Sequence, residues 1–236
     1  MSDAEAVRGP ATLAAATEDA TLPPGHGDRF AGYGVMGLPF TSGHILAMRR
    51  VPASSIGPGY TSVWHRTPTG RWTFWQDQPD EQSCARYFAD SDSATKRVEI
   101  ALSWPAQTTL RVEVPAVGFE WTATLDTTAV TRALNTVGRV MPDRAWHARP
   151  VLRVMGAVAG PTLRAGRLSM VGTSPSGHDF VANPMQVWVI DRSHATLAGE
   201  DLGVPGAVHD QARLGDFWIP QRGIFALGRA FFGGSP

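Results

Sequence analysis

Three consecutive stretches of this chain alternate apolar and polar residues with period two. Val98, Ile100, Leu102 and Trp104 alternate with Glu99, Ala101 and Ser103. Leu110, Val112 and Val114 alternate with Arg111 and Glu113, and Phe119, Trp121, Ala123 and Leu125 with Glu120, Thr122, Thr124 and Asp126. A strand turns successive side chains to opposite faces, so each stretch sends its bulk one way and its polar groups the other. Three such strands with short connections predict an antiparallel meander, buried on one face and wetter on the other.

Further strands flank this group. Residues 43–51 carry Ile45, Leu46, Ala47 and Met48, and the aromatic-rich stretches 60–67 and 71–77 are joined by Thr67-Pro68-Thr69-Gly70, a hairpin signal. The period then changes. Val130, Ala133, Leu134, Val137 and Met141 recur at helical spacing, as do Val151, Val154, Met155, Val158, Ala159 and Thr162. With Pro142 and Pro150 as punctuation, this predicts a helical hairpin over about 129–164. Strands resume over 167–173, 178–182, 185–190 and 194–199, with turn signals at Pro175-Ser176-Gly177, Asn183-Pro184 and Asp191-Arg192-Ser193. The aromatic segment 211–232 is expected to pair back onto the sheet. The sum is mainly β: eight to ten antiparallel strands in a closed or nearly closed up-and-down, calycin/lipocalin-like barrel, because closure removes exposed edges. Residues 29–236 read as this single domain. Residues 1–28 read as a mobile tail that closes at Pro23-Pro24-Gly25 and Gly27. A lumen of that size holds one small ligand.

Composition narrows the classes. Lys plus Arg and Asp plus Glu both number 21, and zero net charge argues against general nucleic-acid binding. An apolar fraction of 43%, with eight Trp and ten Phe, excludes a disordered chain. The single cysteine, Cys84, excludes a disulfide scaffold, and without a leader-like or membrane-length apolar run the expected location is cytoplasmic. Schiff-base chemistry would rest on Lys96, the only lysine. The neutrality is uneven. Residues 129–167 hold seven arginines and one acid, Asp143, so the segment is +6 and the remainder −6. Such an amphipathic pair either packs with its arginines neutralised by Glu99, Glu113 or Asp126, or meets an anionic membrane or the head of an acidic ligand.

The aromatic hairpin supplies the first candidates for chemistry. With a three-residue loop His65 faces Thr73 and Asp77 shares its face; with a four-residue loop His65 opposes Trp72 and Asp77 turns away. The first arrangement orients an imidazole for acid–base work. Asp77 and Glu81, with Asp80, form a carboxylate group able to divide acid and base roles, or else a polar turn before a helix at Cys84. Trp64, Trp72, Trp75 and Trp218 are candidate ligand contacts. Arg222 is a candidate grip for a ligand carboxylate or an ion-pair partner of Asp216. Glu120 anchors a ligand if its face is the lumen and pairs with an arginine if its face is solvent. The seven histidines show no metal-ligand spacing, and Cys84 has no histidine nearby to activate it. Gly32, Gly34 and Gly37 spell G-x-G-x-x-G outside any βαβ context. Neither metal nor cofactor is expected.

Two strings carry a family resemblance. Gly57-Pro-Gly-Tyr60-Thr-Ser-Val-Trp64-His65-Arg66, followed by Gly70-Arg71-Trp72-Thr73-Phe74, and Ala212-Arg-Leu-Gly-Asp216-Phe217-Trp218-Ile-Pro-Gln-Arg222-Gly223 resemble a family of uncharacterised actinobacterial proteins. More distantly, the β-rich layout is similar to lipocalin-like proteins around the carotenoid hydratases (hydroxyneurosporene synthases) and pericyclase-type cyclases. That resemblance implies a barrel holding an apolar isoprenoid or polyketide molecule. Three functions follow in order: binding of a hydrophobic or amphipathic small molecule; cofactor-independent hydration, isomerisation or cyclisation through His65, Asp77 and Glu81; and peripheral contact with an anionic membrane through residues 129–167.

Overall fold

The computed structural model describes residues 9–233. Helix α1 (Pro10–Thr17) precedes β1 (Asp28–Pro39), β2 (Ile45–Ser54), β3 (Tyr60–Arg66) and β4 (Trp72–Gln76). Helix α2 (Ala85–Phe88) leads to β5 (Ala94–Arg97), β6 (Ala101–Ala106), β7 (Thr109–Val114) and β8 (Phe119–Asp126). Three helices follow: α3 (Ala129–Val140), α4 (Asp143–His147) and α5 (Arg149–Leu163). The chain ends in β9 (Val171–Thr173), β10 (Asp179–Leu197), β11 (Glu200–Asp201), β12 (Arg213–Leu214), β13 (Phe217–Trp218) and β14 (Ile224–Phe232). Among the described residues no helix is long and apolar enough to cross a membrane.

The architecture is mainly β, an antiparallel sheet curled into a barrel-like half-shell with the helical hairpin inserted. Its order is β5-β4-β3-β2-β1-β14-β10-β8-β7-β6, every pairing along it antiparallel except β4–β5. This is an up-and-down circuit with one open seam, between β5 and β6. The curl is read from Trp75 and Phe119. They lie six strand positions apart, roughly 29 Å in a flat sheet, yet their rings are 5.2 Å apart. The concave face gathers Tyr33, Leu46, Met48, Val63, Trp75, Val112, Phe119, Trp121, Trp188 and Phe225 into one buried cluster. The expected ligand lumen is therefore largely filled by the chain's own side chains.

Three segments differ from the sequence reading. The expected tail is ordered from residue 9. Ala14 of α1 is buried in the concave core, and Glu18 ties the segment down through Arg50 (2.7 Å) and the Tyr33 hydroxyl (2.8 Å). The stretch carrying the G-x-G-x-x-G string, for which the sequence predicts no strand, is the full strand β1. A Cβ on Gly32 would sit 2.2 Å from the Arg50 carbonyl oxygen, and one on Gly34 2.0 Å from that of Met48, so the strand registers only with glycine there. The three strands expected over 178–199 are one, β10. Asn183-Pro184 and Asp191-Arg192 mark bulges, where the register shifts between Pro184 and Gln186 and between Ile190 and Arg192. A bulge accommodates the missing N–H of proline and bends the strand without ending it.

Helix α3 starts from a reciprocal cap: the Thr131 amide donates to the Thr128 hydroxyl (3.1 Å) and the Thr128 amide to the Thr131 hydroxyl (2.9 Å). It docks edge-on against β10, which pairs with β14 on one side but lacks a strand neighbour on the other between its pairing with β9 at 179–181 and with β8 from 189. Asn135 takes the place of a strand there. Its amide donates to the Val187 carbonyl (3.0 Å) and accepts from the Val187 amide (2.7 Å). The helices thus roof the convex face of the sheet.

Candidate ligand-binding site

Between that roof and the convex face lies a cavity of about 460 Å³. Its floor is made of small residues: Gly32, Ala182, Ala226, Gly228 and Ala230. Protein interiors are otherwise close-packed, so a floor without bulk leaves space where larger side chains would have met the helices. Tyr60, Trp64, Phe88 and Phe217 wall one side, and Leu134, Val137, Val154, Met155 and Val158 form the roof. The cavity is of ligand size and apolar nearly throughout.

Two arginines interrupt it, and one of them, Arg229, is already paired with Asp143 at 3.1 Å. Arg49 lines the cavity and is half-buried, its remaining surface turned to that space. Its guanidinium donates to the carbonyl oxygens of Met48 (2.9 Å), Met36 (3.3 Å) and Val35, and lies 4.7 Å over the Trp64 ring. Among the described residues no carboxylate pairs with it. Burial pushes its pKa down to about 10 from 12.5, a cost of roughly 3 kcal/mol for keeping the charge at neutral pH. Beside it, the Tyr60 hydroxyl and Cys84 Sγ are 3.2 Å apart. Burial pushes the Cys84 thiol up to about 11 and Tyr60 well above its usual range. The thiol is therefore packed and neutral rather than a nucleophile.

The sequence candidates divide between the two faces. Trp64 and Trp218 border the cavity, Trp218 lying 4.3 Å beneath the Arg167 guanidinium. Trp72 is buried in the convex cluster outside the cavity, and Trp75 belongs to the concave core. Glu120 is exposed and pairs with Arg111 at 3.2 Å, the solvent alternative. Arg222 is half-buried outside the cavity. It makes no ion pair with Asp216, whose carboxylate instead accepts from the Thr173 amide at 3.0 Å. Lys96 is exposed on β5, away from the cavity.

The acid–base set does not assemble. His65 faces Thr73, the register that puts Asp77 on the same face. Asp77, however, sits at the other end of the hairpin and accepts from the Thr61 amide at 2.8 Å. Glu81 is exposed in a short 3-10 turn (Asp80–Gln82). His65 meets His44 instead, ring nitrogen to ring nitrogen at 2.9 Å, and stacks on Trp75. A second, more open space of about 480 Å³ lies at the end of the concave face beside α1 and includes Asp77, Arg50 and Glu18. The charges of Arg50 and Glu18 already neutralise each other.

His65 gives a stability test. Burial first, and then the neighbouring His44, push its pKa down to about 4. The folded state holds it neutral, so its contribution is complete above the unfolded value near 6.5 and is lost as pH falls from there toward 4. Urea unfolding should show about 2 kcal/mol less stability from this group at pH 5 than at pH 7.5. His65→Phe should flatten that slope; an unchanged slope would place the titration elsewhere.

Arg49 was not singled out by sequence reading, although a signal exists. It shares strand parity with Ile45, Ala47 and Val51, an arginine on an apolar face. The chain matches no protein-family model and no curated protein. Among solved structures it is similar to acetoacetate decarboxylase from Legionella pneumophila subsp. pneumophila str. Philadelphia 1, at 10% identity over 90% of this chain and 86% of that one, with a TM-score of 0.40. A likeness this distant assigns neither a family nor an activity.

Proposed function

We propose that this protein binds an amphipathic small molecule, its apolar body in the cavity between sheet and helices and an anionic head on Arg49. The observation that carries this reading is the half-buried Arg49 guanidinium, without a carboxylate partner among the described residues, in a largely apolar space whose other arginine, Arg229, is paired with Asp143. A ligand anion offsets the cost of holding that charge, and arginine grips carboxylates through paired donors. The lipocalin-like resemblance adds to the reading, since such proteins hold apolar molecules. The binding place differs from the expected lumen, because the concave face is packed. Hydratase or cyclase chemistry through His65, Asp77 and Glu81 gains no support from their positions.

The test compares palmitate with hexadecanol as probes in thermal unfolding and calorimetry. Palmitate is expected to bind at least about tenfold more tightly, the value of one charge-assisted contact. Ala226→Phe, which fills the floor, should abolish binding of both. If neither probe binds, or if the filled variant binds as well as the parent, the reading fails.

A further inference from the structure

The roof has an outer surface of its own. Val137 and Val140 on α3, with Val151, Val154 and Val158 on α5, are between 39% and 74% exposed. Val137, Val154 and Val158 also line the cavity, so they stand at its mouth. At 100° per residue, Val137 on α3 and Val151, Val154 and Val158 on α5 fall on one flank, toward the cavity, and Val140 on the outer side of α3, while Arg132 and Arg139 on α3 and Arg153 on α5 fall on the opposite flank. An apolar centre is thereby rimmed with positive charge. Neither α3 nor α5 carries an acidic residue. Of the seven arginines in 129–167, Arg149 pairs with Asp179 at 3.1 Å. Arg132, Arg139, Arg144, Arg153, Arg164 and Arg167 are exposed and make no ion pair among the described residues. The one acid, Asp143, is taken by Arg229 at 3.1 Å. The expected neutralisation by Glu99, Glu113 or Asp126 does not occur: Glu113 pairs with Arg111.

We infer that this surface docks on an anionic lipid bilayer, the valines entering the acyl boundary and the arginines meeting the phosphates. Charge selects this occupant over a second copy of the chain. A two-fold dimer through the same patch would set each arginine rim against its twin, whereas an anionic leaflet attracts every one of them. The apolar centre suits an interfacial helix pair, which buries one face shallowly and keeps its cations at headgroup level. The cavity opens through this surface, so an amphiphile passes between bilayer and cavity without crossing water. The docking extends the ligand reading and is separable from it by experiment.

The test is cosedimentation with vesicles of 30% phosphatidylglycerol in phosphatidylcholine, against phosphatidylcholine alone, in low salt. Binding is expected only to the anionic vesicles. Val154→Glu, at an exposed position that leaves the core intact, should reduce it at least about tenfold through like-charge repulsion and a lost apolar contact. The triple variant Arg132→Ala/Arg139→Ala/Arg153→Ala should reduce it at least as far while keeping the palmitate-induced rise in Tm. No cosedimentation at low salt, or binding by Val154→Glu and the triple variant equal to that of the parent, overturns the docking. A dimer in solution that Val154→Glu dissociates overturns it in favour of self-association. Loss of the palmitate response with vesicle binding retained overturns only the ligand reading.

Discussion

Arg49→Met is expected to lose roughly 100-fold in affinity for palmitate while its affinity for hexadecanol changes less than about threefold. The guanidinium holds its charge at a cost of roughly 3 kcal/mol, and a bound carboxylate offsets most of it; removing the cation removes that gain, and each 1.4 kcal/mol is tenfold. Methionine has a similar length and no charge, so the cavity keeps its shape. Without ligand, the variant should be as stable as the parent or more so, since replacing an unpaired buried charge with an apolar group relieves its desolvation. The pH dependence runs the same way. Palmitate affinity of the parent should fall as pH rises through about 10, where Arg49 begins to lose its proton, and the variant should show no such fall. Isothermal calorimetry at pH 7.5 and 10.5 reads both effects. Equal palmitate binding by parent and variant would remove Arg49 as the anchor.

Trp75→Ala is expected to destabilise the fold by about 3–5 kcal/mol, the range for truncating a fully packed tryptophan. Trp75 stacks on His65, packs tilted against Phe119 and so joins the two arms of the curl. Trp218→Ala should cost far less, because that ring is half-buried at the cavity margin. Urea unfolding of the two variants separates a packed concave face from an open one. A loss below about 1 kcal/mol for Trp75→Ala would mean that the concave face is an open lumen after all.

Alternation served well where one face of a strand is buried and the other is not. Leu110, Val112, Val114, Phe119 and Trp121 all point into the concave core, as period two requires. It served poorly on β1 to β4, where both faces are covered. There Trp64 and Phe74 pack outward and Val63 and Trp75 inward, so periodicity carries no information on which face encloses a ligand. The helical hairpin was legible from its 3.6-residue spacing, and its arginines from simple counting. That they remain without acidic partners was not, since pairing depends on distant strands. β10 was broken into three because Asn183-Pro184 signals a turn in isolation, whereas a bulge with strand on both sides absorbs it. Arg49 was hidden by its neighbour Arg50, which has an ordinary partner in Glu18.

The Asn135 amide, by standing in for a strand along β10, also has a protective role. An unoccupied strand edge is a template on which another chain can polymerise. The helix that roofs the cavity is at the same time the guard on that edge. A ligand entering by lifting α3 would expose residues 182–188 to any neighbouring chain at each entry. The safe gate is therefore the valine mouth toward α5, with the Asn135 latch kept shut, and damage to that latch should reveal itself first as fibre formation rather than as lost affinity.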